Sequence, residues 1–185
     1  MVVQTKERAM KKPQSDVVKI VEPAKLYLGR VAAPEGYTKV PLNTAEFSDG
    51  SFKLKNKNET VSEIVCEHLF HLIPGPFRGG FMDEISRALI KGGKITLSVP
   101  YYSHMRATQD FMHAWPPVSE ASFLYFNKEW RSVNKIDYPL TCDFDYSYGY
   151  QVGPETSAKN DETRTFWIAR YLNAVTDITV VLVKK

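Results

Sequence analysis

Cysteine is scarce in this sequence. Cys66 and Cys142 are the only two among 185 residues, too few for a disulfide framework and in keeping with a reducing, cytoplasmic setting. Long apolar runs are missing as well. A stretch such as Ile178 to Val183 falls far short of the ~20 residues that span a bilayer, so no membrane helix is expected. The first ten residues carry Lys6, Glu7 and Arg8 and lack the apolar segment of a secretory signal. Internal repeats and low-complexity tracts are absent too. Neither sign of charge dominates, because 24 basic residues face 21 acidic ones for a net charge of +3. Lys6, Arg8, Lys11 and Lys12, together with Lys53, Lys55 and Lys57, offer contacts to nucleic-acid phosphates. A duplex binder needs several such contacts on one face, however, and the acids are spread throughout, so solvated surface is the simpler reading. What remains is ordinary: 43% hydrophobic and 24% charged residues, the balance of a folded protein, at a length that one hydrophobic core serves.

Residues 1–24 are polar, with Pro13 and Pro23, and read as an extension in which only Val17 to Val21 has strand character. The domain proper is expected over residues 25–185. Short apolar runs predict strands at Lys25 to Gly29, at Tyr37 to Leu42 with Pro41 at its edge, and at Ser62 to Cys66. From Gly79 to Ile90, Phe81, Ile85, Ala88 and Leu89 recur at helical spacing, and Gly92 and Gly93 stop the helix. Lys94 to Pro100 alternates, with Ile95, Leu97 and Val99 on one face of a strand. Ser119 is an N-cap candidate for a helix carrying Phe123, Phe126 and Trp130, aromatics that suit a core better than a ligand box. Thr141 to Val152 predicts a strand with Tyr146, Tyr148 and Tyr150 on one side, Asp161 to Val175 a helix, and Ile178 to Val183 a closing strand. Strands alternating with helices in this order predict a mostly parallel central sheet with helices on both faces and an antiparallel strand at the end.

Three segments carry a resemblance: Phe81 to Asp110 (FMDEISRALIKGGKITLSVPYYSHMRATQD), Ser122 to Arg131 (SFLYFNKEWR) and Cys142 to Tyr150 (CDFDYSYGY). From Glu63 to Lys185 the chain resembles class I S-adenosylmethionine-dependent methyltransferases, in particular a methyltransferase-like family of bacteria and their phages. The turn Leu89-Ile90-Lys91-Gly92-Gly93 is similar to the Leu-Lys-Pro-Gly-Gly turn of that class. The resemblance implies an α/β, Rossmann-like methyltransferase fold, with S-adenosylmethionine bound outside the carboxyl ends of the strands.

Carried over residue by residue, it implies cofactor contacts from Leu28 and Gly29 after the first strand, from Asp49 near the adenine, and from Cys66, Glu67 and His68 after the third. Two positions depart from the pattern. The glycine-rich loop keeps only Gly29, followed by Arg30 and Val31, where a β-branched side chain would crowd the methionine end of the cofactor. The acid that holds the ribose hydroxyls falls on Pro41. Cys66, His68 and His71 have zinc-ligand chemistry, but a tetrahedral site wants four ligands and consecutive residues seldom all point inward, so no metal is expected.

On the acceptor side the resemblance implies Asp110 and His113 as the chemical pair, a histidine near a carboxylate being suited to general-base work. Tyr101 and Tyr102 are expected to line the acceptor pocket. Two readings of function follow. One is a methyltransferase whose acceptor the sequence does not name. The other is a non-catalytic methyltransferase-fold binding or structural protein, for example a phage-associated one, which accounts for Arg30, Val31 and Pro41 directly. The lack of an Asn/Asp-Pro-Pro-Tyr motif and of a target-recognition insertion argues against a standard amino-methylating DNA enzyme.

Overall fold

The structure, a computed structural model, describes residues 22–109 and 111–185. The expected strand at Val17 to Val21 lies outside the described residues, as does Asp110. In chain order the elements are strand β1 (Ala24–Leu28), strand β2 (Thr38–Lys39), helix α1 (Thr44–Ser48), strand β3 (Val61–Glu67) and helix α2 (Gly75–Ala88). There follow strand β4 (Leu89–Pro100), helix α3 (Arg106–Gln109), helix α4 (Lys128–Val133), strand β5 (Phe144–Val152), helices α5 (Pro154–Ser157) and α6 (Asp161–Arg170), and strand β6 (Val175–Lys184). Short 3-10 turns occupy Phe70–Leu72 and Glu120–Phe126.

The six strands form one sheet in the order β2-β1-β3-β4-β6-β5. β2, β1, β3 and β4 are mutually parallel, while β6 runs antiparallel to both β4 and β5. The expected placement of the Leu26 strand therefore holds: it has the Tyr37 segment on one side and the Ile64 and Ile95 strands on the other. Because side chains alternate along a strand, Leu26, Leu28, Ile64, Cys66, Ile95, Leu97, Ile178 and Val180 share one face and are fully buried or nearly so. Phe81, Met82 and Ile85 of α2 close over them, as do Phe47, Phe52, Phe70, Phe123 and Phe126. Phe70 stacks on Phe123 with centroids 5.7 Å apart, a pair worth about 0.5–1.5 kcal/mol beyond its buried area.

The other face corrects the expectation of helices on both sides. It carries Lys25, Glu63, Val65, Lys94, Thr96 and Val181, which are exposed or half-buried. Glu63 bridges its neighbours across the strands, with Lys94 Nζ at 3.0 Å and Lys25 Nζ at 3.3 Å. The reason is topological. Parallel crossovers are right-handed, so connections running in opposite directions across a sheet place their helices on opposite faces. The β3-to-β4 connection puts α2 on the core face. The β1-to-β2 connection runs the other way and consists only of residues 29–37, without a helix, where a helical crossover needs roughly a dozen residues or more. The β1-to-β2 connection thus supplies no helix to that face, and around Glu63 a charged ladder takes the place of apolar side chains.

Element bounds shift for local reasons. α2 begins at Gly75, earlier than the apolar spacing suggests, because Pro76 suits the first helical turn. It ends at Ala88, and the Gly92-Gly93 turn proves to be an irregularity inside β4, with Gly92 at φ 75°. The expected helix after Ser119 divides into a 3-10 turn, capped reciprocally by Ser119 and Ser122, and α4, which Asn127 caps through Trp130 N. Phe123 and Phe126 enter the core as expected, whereas Trp130 packs against Tyr125 at 5.1 Å. α6 stops at Arg170, leaving Val175 to open β6. No helix among the described residues is long and apolar enough to cross a membrane.

Candidate functional site

A cleft of about 450 Å³ opens over the carboxyl ends of β1, β3 and β4, lined by Arg30, His68, His71, Leu72, Pro100, Arg106, Gln109 and His113. Each element contributes through its end. Arg30 follows β1, His68 follows β3, and Pro100 closes β4. His71 sits on the turn after β3, Arg106 and Gln109 on α3, and His113 on the loop beyond. The rings of His71 and His113 meet edge to face with centroids 4.3 Å apart, and His68 stands 6.2 Å from His71. Beneath them lies Asp177 of β6, 5% exposed. Its Oδ2 accepts from Arg106 Nη1 at 3.0 Å, while its Oδ1 is 3.9 Å from His68 Nδ1 and has no hydrogen bond.

His68 has φ 49°, in the left-handed region where non-glycine residues are uncommon and histidine is enriched. Its amide donates to Ser98 O at 2.9 Å, which holds this conformation at the end of the strand. A larger apolar groove of about 740 Å³, with Phe70, Trp115, Tyr125, Tyr138 and Leu140 on its walls, lies beside α2. None of the described candidate residues from the sequence lines it.

The structure separates those candidates. His68 and His113 come together in the cleft. Gly29 lies at the end of β1, but the phenol of Tyr27 covers it, so closely that a Cβ added at Gly29 would stand 2.4 Å from Tyr27 Oη. Tyr27 has no exposed surface, and its hydroxyl donates to Glu67 Oε2 at 2.7 Å. Burial, then the bond to Glu67 and that carboxylate's charge, push the phenol up to about 12, so it stays a donor across the working pH range. Replacing Tyr27 with phenylalanine is expected to lower stability by about 1.5–3 kcal/mol, the range for a hydrogen bond to a charged group. Urea unfolding would measure it, and a loss below about 0.5 kcal/mol would show that the bridge holds little.

Leu28 and Cys66 point into the core and are fully buried, because they share the strand face of Leu26 and Ile64. Burial also pushes the Cys66 thiol up to about 12. These two side chains therefore do not face the cleft. The three potential zinc ligands are likewise divided by that burial, and no group of three His, Cys, Asp or Glu among the described residues is arranged to hold a metal ion. Asp49 caps the turn after α1, accepting from Ser51 N at 2.8 Å, and hydrogen bonding from the Ser51 side chain, then from its amide, holds the carboxyl below the ordinary value. It does not line the cleft.

Tyr101 is 5% exposed and donates to Glu120 Oε2 at 2.9 Å, with Tyr150 edge-on at 5.2 Å. Burial, then the bond to Glu120, push its phenol far up. Tyr101 is thus a core residue, and exposed Tyr102 leans on it at 4.7 Å. Neither lines the cleft.

Sequence reasoning missed Tyr27, Arg106 and Asp177, and treated Arg30 and Val31 as the obstruction. Val31 is 63% exposed, so the crowding comes from Tyr27 instead. At the ribose edge, Pro41 lies beyond β2 and is exposed. There Lys39 Nζ donates to Val31 O at 2.6 Å, which places a cation on the first loop. The one signal that could have found Asp177 is a lone acid in the otherwise apolar and threonine-rich run of β6.

No protein-family model matches the sequence, and no curated protein matches it. Solved structures do resemble the fold. An S-adenosylmethionine-dependent methyltransferase from Archaeoglobus fulgidus superposes with a TM-score of 0.50 at 10% identity, over 79% of this chain and 67% of that one. The YcgJ protein from Bacillus subtilis gives 0.45 at 12% identity, over 82% and 72%. A methyltransferase from Listeria monocytogenes gives 0.42 at 10%, over 83% and 71%. The chain thus has the α/β, Rossmann-like methyltransferase fold with a mixed sheet. The cofactor this fold implies does not fit the residues present. The phenol of Tyr27, bonded to Glu67, covers the first-loop glycine against which the methionine half would pack, and no helix follows β1.

Proposed function

We propose that this chain is a methyltransferase-fold binding protein, of a bacterium or its phage, that does not use S-adenosylmethionine. The observation that carries this reading is Tyr27, whose phenol covers Gly29 and engages Glu67. In-line methyl transfer depends on holding the sulfonium against the acceptor to within a fraction of an ångström, and a first-loop glycine covered by Tyr27 offers the methionine half no close backbone approach. Pro41 at the position of the ribose acid removes charge-assisted hydrogen bonds worth about 1.5–3 kcal/mol each. At about 1.4 kcal/mol per tenfold, micromolar affinity moves towards millimolar. Titration calorimetry with S-adenosylmethionine and S-adenosylhomocysteine is therefore expected to give no binding in the micromolar range. Low-micromolar binding of S-adenosylhomocysteine would overturn the reading.

The second reading, an active methyltransferase of unnamed acceptor, is favoured by the position of His113, at the strand ends where an acceptor would approach. On that reading Asp110 and His113 are the chemical pair. Alanine at either position would lower turnover more than cofactor affinity, and unchanged turnover in both variants would remove them from the chemistry.

A further inference from the structure

We propose that the cleft over β1, β3 and β4 binds a phosphate monoester, its dianionic head held by Arg30, Arg106 and the imidazoles of His68, His71 and His113. The proposal rests on the reading above, that S-adenosylmethionine does not occupy this edge. Two guanidinium groups and three of the four histidines in the chain line one cleft, and no carboxylate is among the described lining residues. The guanidinium of Arg30 makes no hydrogen bond or ion pair with the described residues, while Lys39 ties down the carbonyls of Arg30 and Val31. Asp177 orients Arg106 through Nη1 alone, which leaves its other N–H groups for a ligand. His68 is held in a left-handed conformation at the strand end, a cost that persists where the surroundings enforce it and that marks functional positions.

The buried Oδ1 of Asp177 lacks a hydrogen bond at 3.9 Å from His68 Nδ1. A proton on His68 supplies that partner, so an anion in the cleft and a protonated His68 favour each other. Five cationic or ionisable donors exceed what the two oxygens of a carboxylate accept and suit the three terminal oxygens of a phosphate. The volume of about 450 Å³ lies within the roughly 300–1,000 Å³ of small-molecule sites, so the phosphate can belong to a ligand of mononucleotide size.

Among the described residues, the charged groups facing the histidines are Arg30 from the first loop, Arg106 from α3 and Asp177 from β6. An entering dianion beside Arg30 and Arg106 favours the protonated form of His68, whose Nδ1 faces Asp177. Affinity is then expected to rise as pH falls through the histidine range.

Sulfate is the probe for pH, because it stays dianionic where phosphate itself titrates. Calorimetry with sulfate on the full chain is expected to show binding about tenfold tighter near pH 6 than near pH 8. Near neutral pH, 5′-AMP is expected to bind and adenosine not to. Arg30→Gln and Arg106→Gln should each weaken sulfate and AMP about tenfold or more. Arg30 has no described partner, so its variant tests the site without disturbing Asp177.

No binding of sulfate or AMP, or equal affinity in both variants, would overturn the proposal. So would preference for an oligothymidylate lacking terminal phosphates, which would assign the cleft to phosphodiesters. Low-micromolar S-adenosylhomocysteine with no sulfate binding would instead mark failure of the reading on which the proposal rests.

Discussion

Arg78→Met is expected to lower the unfolding free energy by about 2–4 kcal/mol and to loosen the loop that carries His113. Arg78 is 6% exposed on α2 and has no carboxylate partner among the described residues. Its guanidinium donates to Ile73 O at 2.9 Å, Pro116 O at 2.7 Å and Ala114 O at 3.2 Å, and lies over the ring of Phe70 at 5.3 Å. Burial pulls it down to about 10, which states the opposing effect: the charge is costly to keep here. Methionine removes that cost and fills much of the volume, but leaves three carbonyls without donors, each costing about 1–3 kcal/mol when buried. The donors lost outweigh the desolvation relieved. Two backbone bonds still anchor the loop, Gly75 N to Trp115 O at 3.1 Å and Ala114 N to His71 O at 3.0 Å, so the segment loosens rather than detaches. Urea unfolding gives the first number, and hydrogen exchange of the amides around Ala114 gives the second. A loss under about 1 kcal/mol with unchanged exchange would show that the backbone bonds alone hold His113 in place.

The parallel order of the first four strands was readable because apolar alternation and glycine turns are local signals that strands and helices both obey. The bare sheet face was also written in the sequence. Lys25, Glu63, Lys94, Thr96 and Ser98 alternate with buried residues, and strands covered on both sides read instead as continuous apolar runs. The resemblance to a doubly covered fold overrode that pattern. The short β1-to-β2 connection was equally visible as a distance along the chain between Gly29 and Tyr37.

The site was less legible, because it depends on which side chains reach a common point rather than on spacing. His68 and His113 meet through His71, and the bridge from Tyr27 to Glu67 joins residues 40 positions apart. Leu28 and Cys66 were misplaced for a simple reason: a strand that ends at a site still turns alternate side chains away from it. Arg78 and Arg131 gave no periodic signal at all. Arg131, also 6% exposed, donates to Tyr125 O at 2.7 Å and Cys142 O at 3.1 Å, and both arginines act on loop carbonyls that no sequence pattern announces.

Glu84→Ala is expected to cost about 2–4 kcal/mol at neutral pH, because it removes the charge-assisted bonds from Arg87 and leaves the buried Leu54 amide without its acceptor. Glu84 is 2% exposed on α2. One carboxylate oxygen accepts from Leu54 N and Arg87 Nη2, each at 2.7 Å, and the other from Arg87 Nε at 2.9 Å and Lys53 Nζ at 3.4 Å. Arg87 in turn donates to Asn56 O at 2.9 Å and Asn58 Oδ1 at 2.8 Å. The pair therefore fastens the irregular segment 53–58, with buried Leu54, onto the helix. Burial alone would raise the carboxyl of Glu84, but the bonds from Arg87, the Leu54 amide and the nearby cations outweigh it and hold the group below its ordinary value. A folded-state value below the unfolded one stabilises above the unfolded value and is lost as pH falls through the folded one. The alanine variant lacks this contribution, so the gap between the two proteins is expected to be full at about pH 7 and to narrow below about pH 4. Urea unfolding of both proteins at the two pH values measures it. A gap that stays constant with pH would show that the lost stability comes from packing and not from the charge of Glu84.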